Sequence, residues 1–172
     1  MSIPNAITAF KSGIPGTLSH AGPTRALSAI FDSASAANNV FGRAFTHKSV
    51  ANSTVQAGGS GSFAGIATNP HAYAINQSTA ANGSTGEFLH MGEMFVKLVP
   101  AVAGGKTPVT AAVGSKVYFV VATGELTCDP TNQDTVPVAH TEIKGAAVVR
   151  HAPATASGGG QLAIISLTGY QA

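Results

Sequence analysis

From Val40 onward the chain breaks into short β-prone runs, each closed off by Gly, Asn or Pro, and this punctuation constrains the fold more than any other feature. Val40–Ser49, Ser62–Thr68, Phe88–Val99, Lys116–Ala122, Ile143–His151 and Gln161–Thr168 are the expected strands. In the third run Met94, Val96 and Leu98 alternate with Phe95, Lys97 and Val99, the period of a strand with one face more buried. Val117–Val121 is apolar on both faces, as expected between two layers or beneath an arm. Gly58–Gly61, Gly104-Gly105 and Gly158–Gly160 read as loops, and Asp129–Val138, with Pro130 and Pro137, as a longer one. Strand–helix–strand alternation is absent, which argues against a parallel α/β fold. The implied class is all-β, a small antiparallel barrel or sandwich spanning residues 40–172.

Residues 1–39 have a different texture. Pro4, Pro15 and Pro23, with turn signals at Gly13–Gly16 and Gly22-Pro23, describe an extended N-terminal arm. Thr24–Ala37 is compatible with a short helix capped by Thr24. Ile3, Phe10, Ile14, Leu18, Leu27, Ile30 and Phe31 are more apolar residues than a free tail carries. With Pro15 they are the candidate protein-interface residues, covering either the chain's own barrel or a neighbour. The arm is expected to add little to the barrel core.

Charge narrows the function. Only 9% of the 172 residues are charged, against about 25% in an ordinary soluble domain. Spread over the surface of a compact chain of this size, that is one charge per ~480 Å² instead of one per ~180 Å². So neutral a surface tends to self-associate unless other subunits cover it. Net charge is +2, and no two basic residues are adjacent, so the clustered Lys and Arg that nucleic acid requires are missing. The longest apolar run, Val117–Ala122, is too short to span a bilayer. Cys128 is the sole cysteine, so no internal disulfide is possible, and folding in a reducing cytoplasm is expected.

Motifs for chemistry are weak. The six His residues (20, 47, 71, 90, 140 and 151) are widely spaced, with no partner at metal-ligand spacing. His90 and Glu93 lie three apart, which aligns side chains on a helix but not on a strand. Gly59-Ser-Gly61-Ser-Phe-Ala64 matches a loose dinucleotide fingerprint, but Phe63–Ala67 is a poor helix start. Cys128 reads as a quiet buried thiol. The expectation is no catalytic residue, no cofactor and no metal, hence no enzyme.

The order of segments resembles a known family. Gly13-Ile-Pro-Gly-Thr-Leu-Ser-His20 is similar to the Pro-Gly arm of the structural cement proteins that decorate tailed-phage capsids, and Asn39-Val-Phe-Gly-Arg-Ala-Phe45 to the start of their barrel. Gly65-Ile-Ala67, Gly86-Glu87 and Gly92-Glu-Met-Phe-Val-Lys97 resemble the middle strands. Gly114-Ser-Lys-Val-Tyr-Phe119, Thr123-Gly124, Gly145-Ala146 and the Leu162–Leu167 strand complete the order. Thr17 and His20 stand where the family's arm often has an acid and an arginine, and Ala80–Gly86 and Asp129–His140 look like loops longer than the family needs. The resemblance implies a small β-barrel, made in the host cytoplasm, that binds the outer surface of the virion capsid. Its partners would be the major capsid protein, whose subunits it bridges, and other copies of itself as a dimer or trimer, without nucleic acid or membrane. The alternative is a small β-barrel binding module, such as a carbohydrate-binding or other virion-surface protein; a carbohydrate binder would predict aromatic platforms, and the chain has no Trp.

Overall fold

The structure, a computed structural model, describes residues 13–20, 22–49, 51, 53–70, 78–99, 110–130, 139–152 and 160–169. Among the described residues nine strands follow in chain order: β1 (Arg25–Phe31), β2 (Ala44–Ser49), β3 (Thr54–Ala57), β4 (Phe63–Ala67), β5 (Thr85–Leu98), β6 (Lys116–Val120), β7 (Leu126–Thr127), β8 (His140–His151) and β9 (Gln161–Thr168). One 3-10 turn, Ala36–Asn38, lies between β1 and β2. The fold is all-β, and each of the six expected strands coincides with an observed one.

Strand pairing closes on itself twice. The order β1-β3-β2-β4-β5 returns through a β1–β5 pairing, and β5-β7-β6-β8-β9 returns through β5–β9. Strand β5 belongs to both rings because it is 14 residues long. Its first half pairs with β1 (Ile30 opposite Thr85, Arg25 opposite Met91) and with β4 (Ile66 opposite Leu89). Its second half pairs with β9 from Met91 opposite Thr168 to Leu98 opposite Gln161, and meets β7 at Leu98 opposite Leu126. Most pairs are antiparallel; β1–β3 and β5–β7 are parallel.

Each ring has its own core. Phe31, Phe45 and Phe88 form a triangle in the first, with ring centroids 5.0–5.2 Å apart, packed with Val55 and several alanines. Burying one such ring stabilises the fold by about 1.5–3 kcal/mol. The second core gathers Met94, Val96 and Leu98 with Val117, Phe119, Leu126, Ile143, Val148 and Ile165. Ala44, Ile66 and Leu89 also reach it, although their strands belong to the first ring.

The turn after β6 locks the two rings together. Gly59 N–H donates to Val121 O (2.7 Å) and Ala44 N–H to Gly124 O (2.8 Å), while within the first ring Gly58 N–H donates to Ala44 O (2.9 Å). Arg43 flanks this contact, its Nη2 2.7 Å from Glu125 Oε1 and its Nη1 donating to Thr123 O and Asn38 Oδ1.

Two expectations are revised. Thr24–Ala37 is not a helix: Arg25–Phe31 is β1, held between β5 and β3. The first strand of the sheet therefore starts at Arg25, inside the stretch assigned to the arm. The Ala80–Gly86 loop also acquires a role. Asn82 accepts from Ser33 N–H (3.1 Å) and from buried Asn39 Nδ2 (2.8 Å), and donates to Ser33 O (2.8 Å), pinning this loop to the β1–β2 connection. Thr85 and Gly86 already belong to β5. Of Asp129–His140, residues 131–138 lie outside the described residues.

Candidate interaction surface

The described part of the arm, residues 13–20, lies along β5. Gly16 N–H donates to Phe95 O (2.7 Å), Phe95 N–H to Thr17 O (2.8 Å) and Ser19 N–H to Glu93 O (3.0 Å), with Leu18 opposite Met94. Met91 faces β1 on one side of β5 and β9 on the other. The arm's bonds to residues 93–95 thus continue the line of β1, on the side that β9 does not occupy. Gly16 is buried with φ +89°, and a Cβ there would come within 3.0 Å of Gly42 N and Asn69 N, so only glycine fits this crossing without strain. Pro15 is half-buried over Gly42.

The candidate interface residues separate into three groups. Ile3 and Phe10 lie outside the described residues. Ile14 (48% exposed), Leu18 (45%) and Ile30 (37%) present apolar surface. Leu27 packs partly against the first core, and Phe31, 1% exposed, sits inside it, so Phe31 is a core residue. Sequence reasoning missed Val113 (69% exposed) and Val149, which is exposed at a register shift in β8. No local signal announces that bulge; it appears only in the pairing with β9.

Among the described residues, three shallow depressions border the arm. One of about 260 Å³ is lined by Ser19, His20, Glu93, Val149, Arg150 and Ile164. A second, about 200 Å³, shares His20 and Glu93 and continues to Pro23 and Met91. The third, about 180 Å³, is lined by Pro15, Phe41, Arg43, Lys97 and Glu125, among others. Each is smaller than the usual small-molecule pocket of about 300–1,000 Å³.

Ser19, His20 and Glu93 lie together, but they are not arranged for nucleophilic catalysis. Ser19 Oγ is 3.3 Å from His20 Nδ1, and Glu93 Oε2 is 3.3 Å from that same nitrogen. In a hydrolytic triad the nucleophile and the acid use opposite ring nitrogens. Among the described residues no group of three His, Cys, Asp or Glu side chains is placed to hold a metal ion. Among the described residues Asp32, Glu125 and Glu142 lie in ion pairs with Lys48, Arg43 and Lys116, and Glu93 lies 3.3 Å from the His20 ring. The pairing with Glu142 raises the pKa of Lys116. Burial pushes the Cys128 thiol up to about 11, which keeps it protonated near neutral pH.

Residues 4–168 match a family model described as structural cement protein (E217 gp24/Pam3 gp6). No curated protein matches. Among solved structures, a chain in one titled "The capsid of Myoviridae Phage XM1" aligns over 98% of both chains with a TM-score of 0.60 at 15% identity, a likeness of fold.

Proposed function

The chain belongs to the structural cement protein family of phages, and from that premise we propose that it binds the outer surface of an assembled capsid, bridges neighbouring major capsid subunits and stabilises the shell. As a phage capsid structural protein it is a component of the virion. The family is a structural one, which makes enzymatic activity unsupported.

The observation that carries the binding reading is the arm. It lies on β5 through backbone bonds while Ile14 and Leu18 stay about half exposed. An apolar strip held in place this way can bury further area on a capsid subunit without first being ordered, which lowers the cost of binding. The sparse charge of the chain supports the same reading, since covering this surface displaces few hydrated ions. A binder specific for the assembled shell stabilises it by mass action. Contact with several subunits per copy multiplies the effect.

The test mixes the purified protein with undecorated capsids, with free capsid subunits and with duplex DNA. Saturable binding to capsids, weaker binding to subunits, none to DNA and a raised capsid melting temperature are expected. Tight DNA binding without capsid binding would falsify the proposal.

A further inference from the structure

The turn ahead of β5 carries a reactive dipeptide: Asn82 is the only asparagine of the chain followed by glycine. In an unfolded chain such a pair attacks itself, because a glycine nitrogen with no side chain beside it can approach the asparagine Cγ closely. In the folded protein every group this reaction uses is engaged. Asn82 Oδ1 accepts from Ser33 N–H (3.1 Å) and from Asn39 Nδ2 (2.8 Å), and Asn82 Nδ2 donates to Ser33 O (2.8 Å). The nucleophile, Gly83 N, donates its hydrogen to Phe31 O (2.7 Å). Ser84 closes the turn, its N–H and its Oγ both donating to Ala81 O (3.2 and 2.6 Å). Gly83 has φ +84° and open space where a Cβ would stand, so backbone conformation, not packing, demands glycine there. Held by three bonds, the Asn82 side chain cannot turn to present Cγ to Gly83 N. That nitrogen in turn cannot lose its hydrogen without giving up its bond to Phe31 O.

We propose that Asn82-Gly83 is a self-modification site gated by the fold, closed in the native protein and converting to aspartate and isoaspartate when the loop detaches from the β1–β2 connection. Gly83 N gives its proton to a solvent base and bonds to Asn82 Cγ. The Cγ–Nδ2 bond breaks, ammonia leaves with a proton taken from solvent, and a cyclic imide remains. Water then opens the imide. Breaking the bond at Cγ gives aspartate at position 82; breaking the bond at the main-chain carbon gives isoaspartate, whose backbone runs through the former side chain. Water is the only co-reactant. Neither product restores the pin. Aspartate has no N–H for Ser33 O and sets a charged oxygen against that carbonyl. Isoaspartate lengthens the backbone ahead of Gly83, which displaces Gly83 N–H from Phe31 O and Ser84 O from Phe31 N–H (3.0 Å). Those two bonds start the β1–β5 ladder beside the aromatic triangle that Phe31 completes. A chain that has stayed open therefore refolds to a weaker state, which opens more readily.

The test holds the full-length protein in mildly alkaline buffer, native and in guanidinium chloride, and follows the exchange of amide for acid at each asparagine by peptide mass mapping. In denaturant Asn82 should convert ahead of every other asparagine. In the native protein its conversion should be at least tenfold slower, equivalent to an opening cost of about 1.4 kcal/mol. Equal rates in the two states, or an unfolded chain in which Asn82 outlasts the other asparagines, overturns the proposal. Chains converted in denaturant are then refolded, and their unfolding midpoint should fall below that of unconverted chains; an unchanged midpoint defeats the one-way consequence. Asn39→Ala removes one donor to Asn82 Oδ1 and should speed conversion in the folded protein. Should that variant not fold, denaturant below the global transition serves on the native sequence. Conversion should already accelerate there, and a rate that stays flat until the whole chain unfolds overturns gating by the loop. None of these measurements involves a capsid, so the site stands or falls apart from capsid binding.

Discussion

Phe88 and Leu89 are neighbours in sequence and lie in different cores: Phe88 closes the aromatic triangle of the first ring, and Leu89 packs with Met94 and Ile165 in the second. Ala44 and Phe45 on β2, and Ile66 and Ala67 on β4, divide in the same way. The alternation of side chains along a strand usually separates core from solvent. Here β2, β4 and β5 form a wall with a core on each side.

That arrangement predicts that both rings unfold together. Phe88→Ala should cost about 3–5 kcal/mol and Leu89→Ala about 2–5 kcal/mol. Urea melts followed by circular dichroism should each give one transition at a lower midpoint. Two separated transitions in either variant would show that the rings fold independently.

Truncation separates the arm from β1. Removing residues 1–36 takes away β1 and Phe31, so that chain should show no cooperative melt, contrary to the expectation from sequence that the arm adds little to the core. Removing residues 1–24 leaves β1 in place and should give a folded barrel of lowered melting temperature. Its occupancy on capsids should fall at least tenfold, equivalent to about 1.4 kcal/mol. Full occupancy by this shorter truncation would move the capsid contact to the barrel itself.

Asn82 is the pin between the loop before β5 and the β1–β2 connection. Asn82→Ala leaves buried Asn39 Nδ2 with its bond to Ala80 O alone and removes both bonds to Ser33. A loss of about 1–3 kcal/mol is expected from the unpaired groups, read as a shift in urea midpoint. Asn82→Asp keeps the acceptor and should recover part of it.

Cys128 makes stability depend on alkaline pH. Burial raises its thiol from 9.0 to about 11, so the folded state holds the proton that the unfolded state gives up. The contribution is complete below pH 9.0 and is lost as pH rises toward about 11. Unfolding should release up to one additional proton per chain in that window, and the Cys128→Ala variant should not. Equal alkaline slopes for the two proteins would remove Cys128 as the source. In the native protein at neutral pH the thiol should resist alkylation.

The strands that were legible in sequence are those long enough to show a period or an unbroken apolar run. Strand β3 has four residues and β7 two, too short for any pattern to emerge. Strand β1 was hidden for another reason. Leu27, Ile30 and Phe31 fit a helical spacing as well as a strand, and the flanking Ala and Ser residues are tolerated in both. Pairing with β5 on one side and β3 on the other decides the matter, which is a tertiary effect. The same effect turns Phe31 inward while Ile30 faces out. Of the arm, the apolar character of Ile14 and Leu18 was readable; their attachment to β5 was not, because Phe95 and Glu93 carry no sign of which segment will bond their backbone.

The double closure bears on how such a chain resists edge-to-edge growth. With so few ions at its surface, copies made in quantity have little mutual repulsion to keep them apart. Edge-to-edge fibre growth needs a row of backbone donors and acceptors left open to template the next molecule. Among the described residues each of the nine strands pairs with at least two others, and although some pairings are short, no strand stands at an edge with a single neighbour. A neutral exterior is tolerable when the described strands leave only short stretches of backbone on which another molecule could grow.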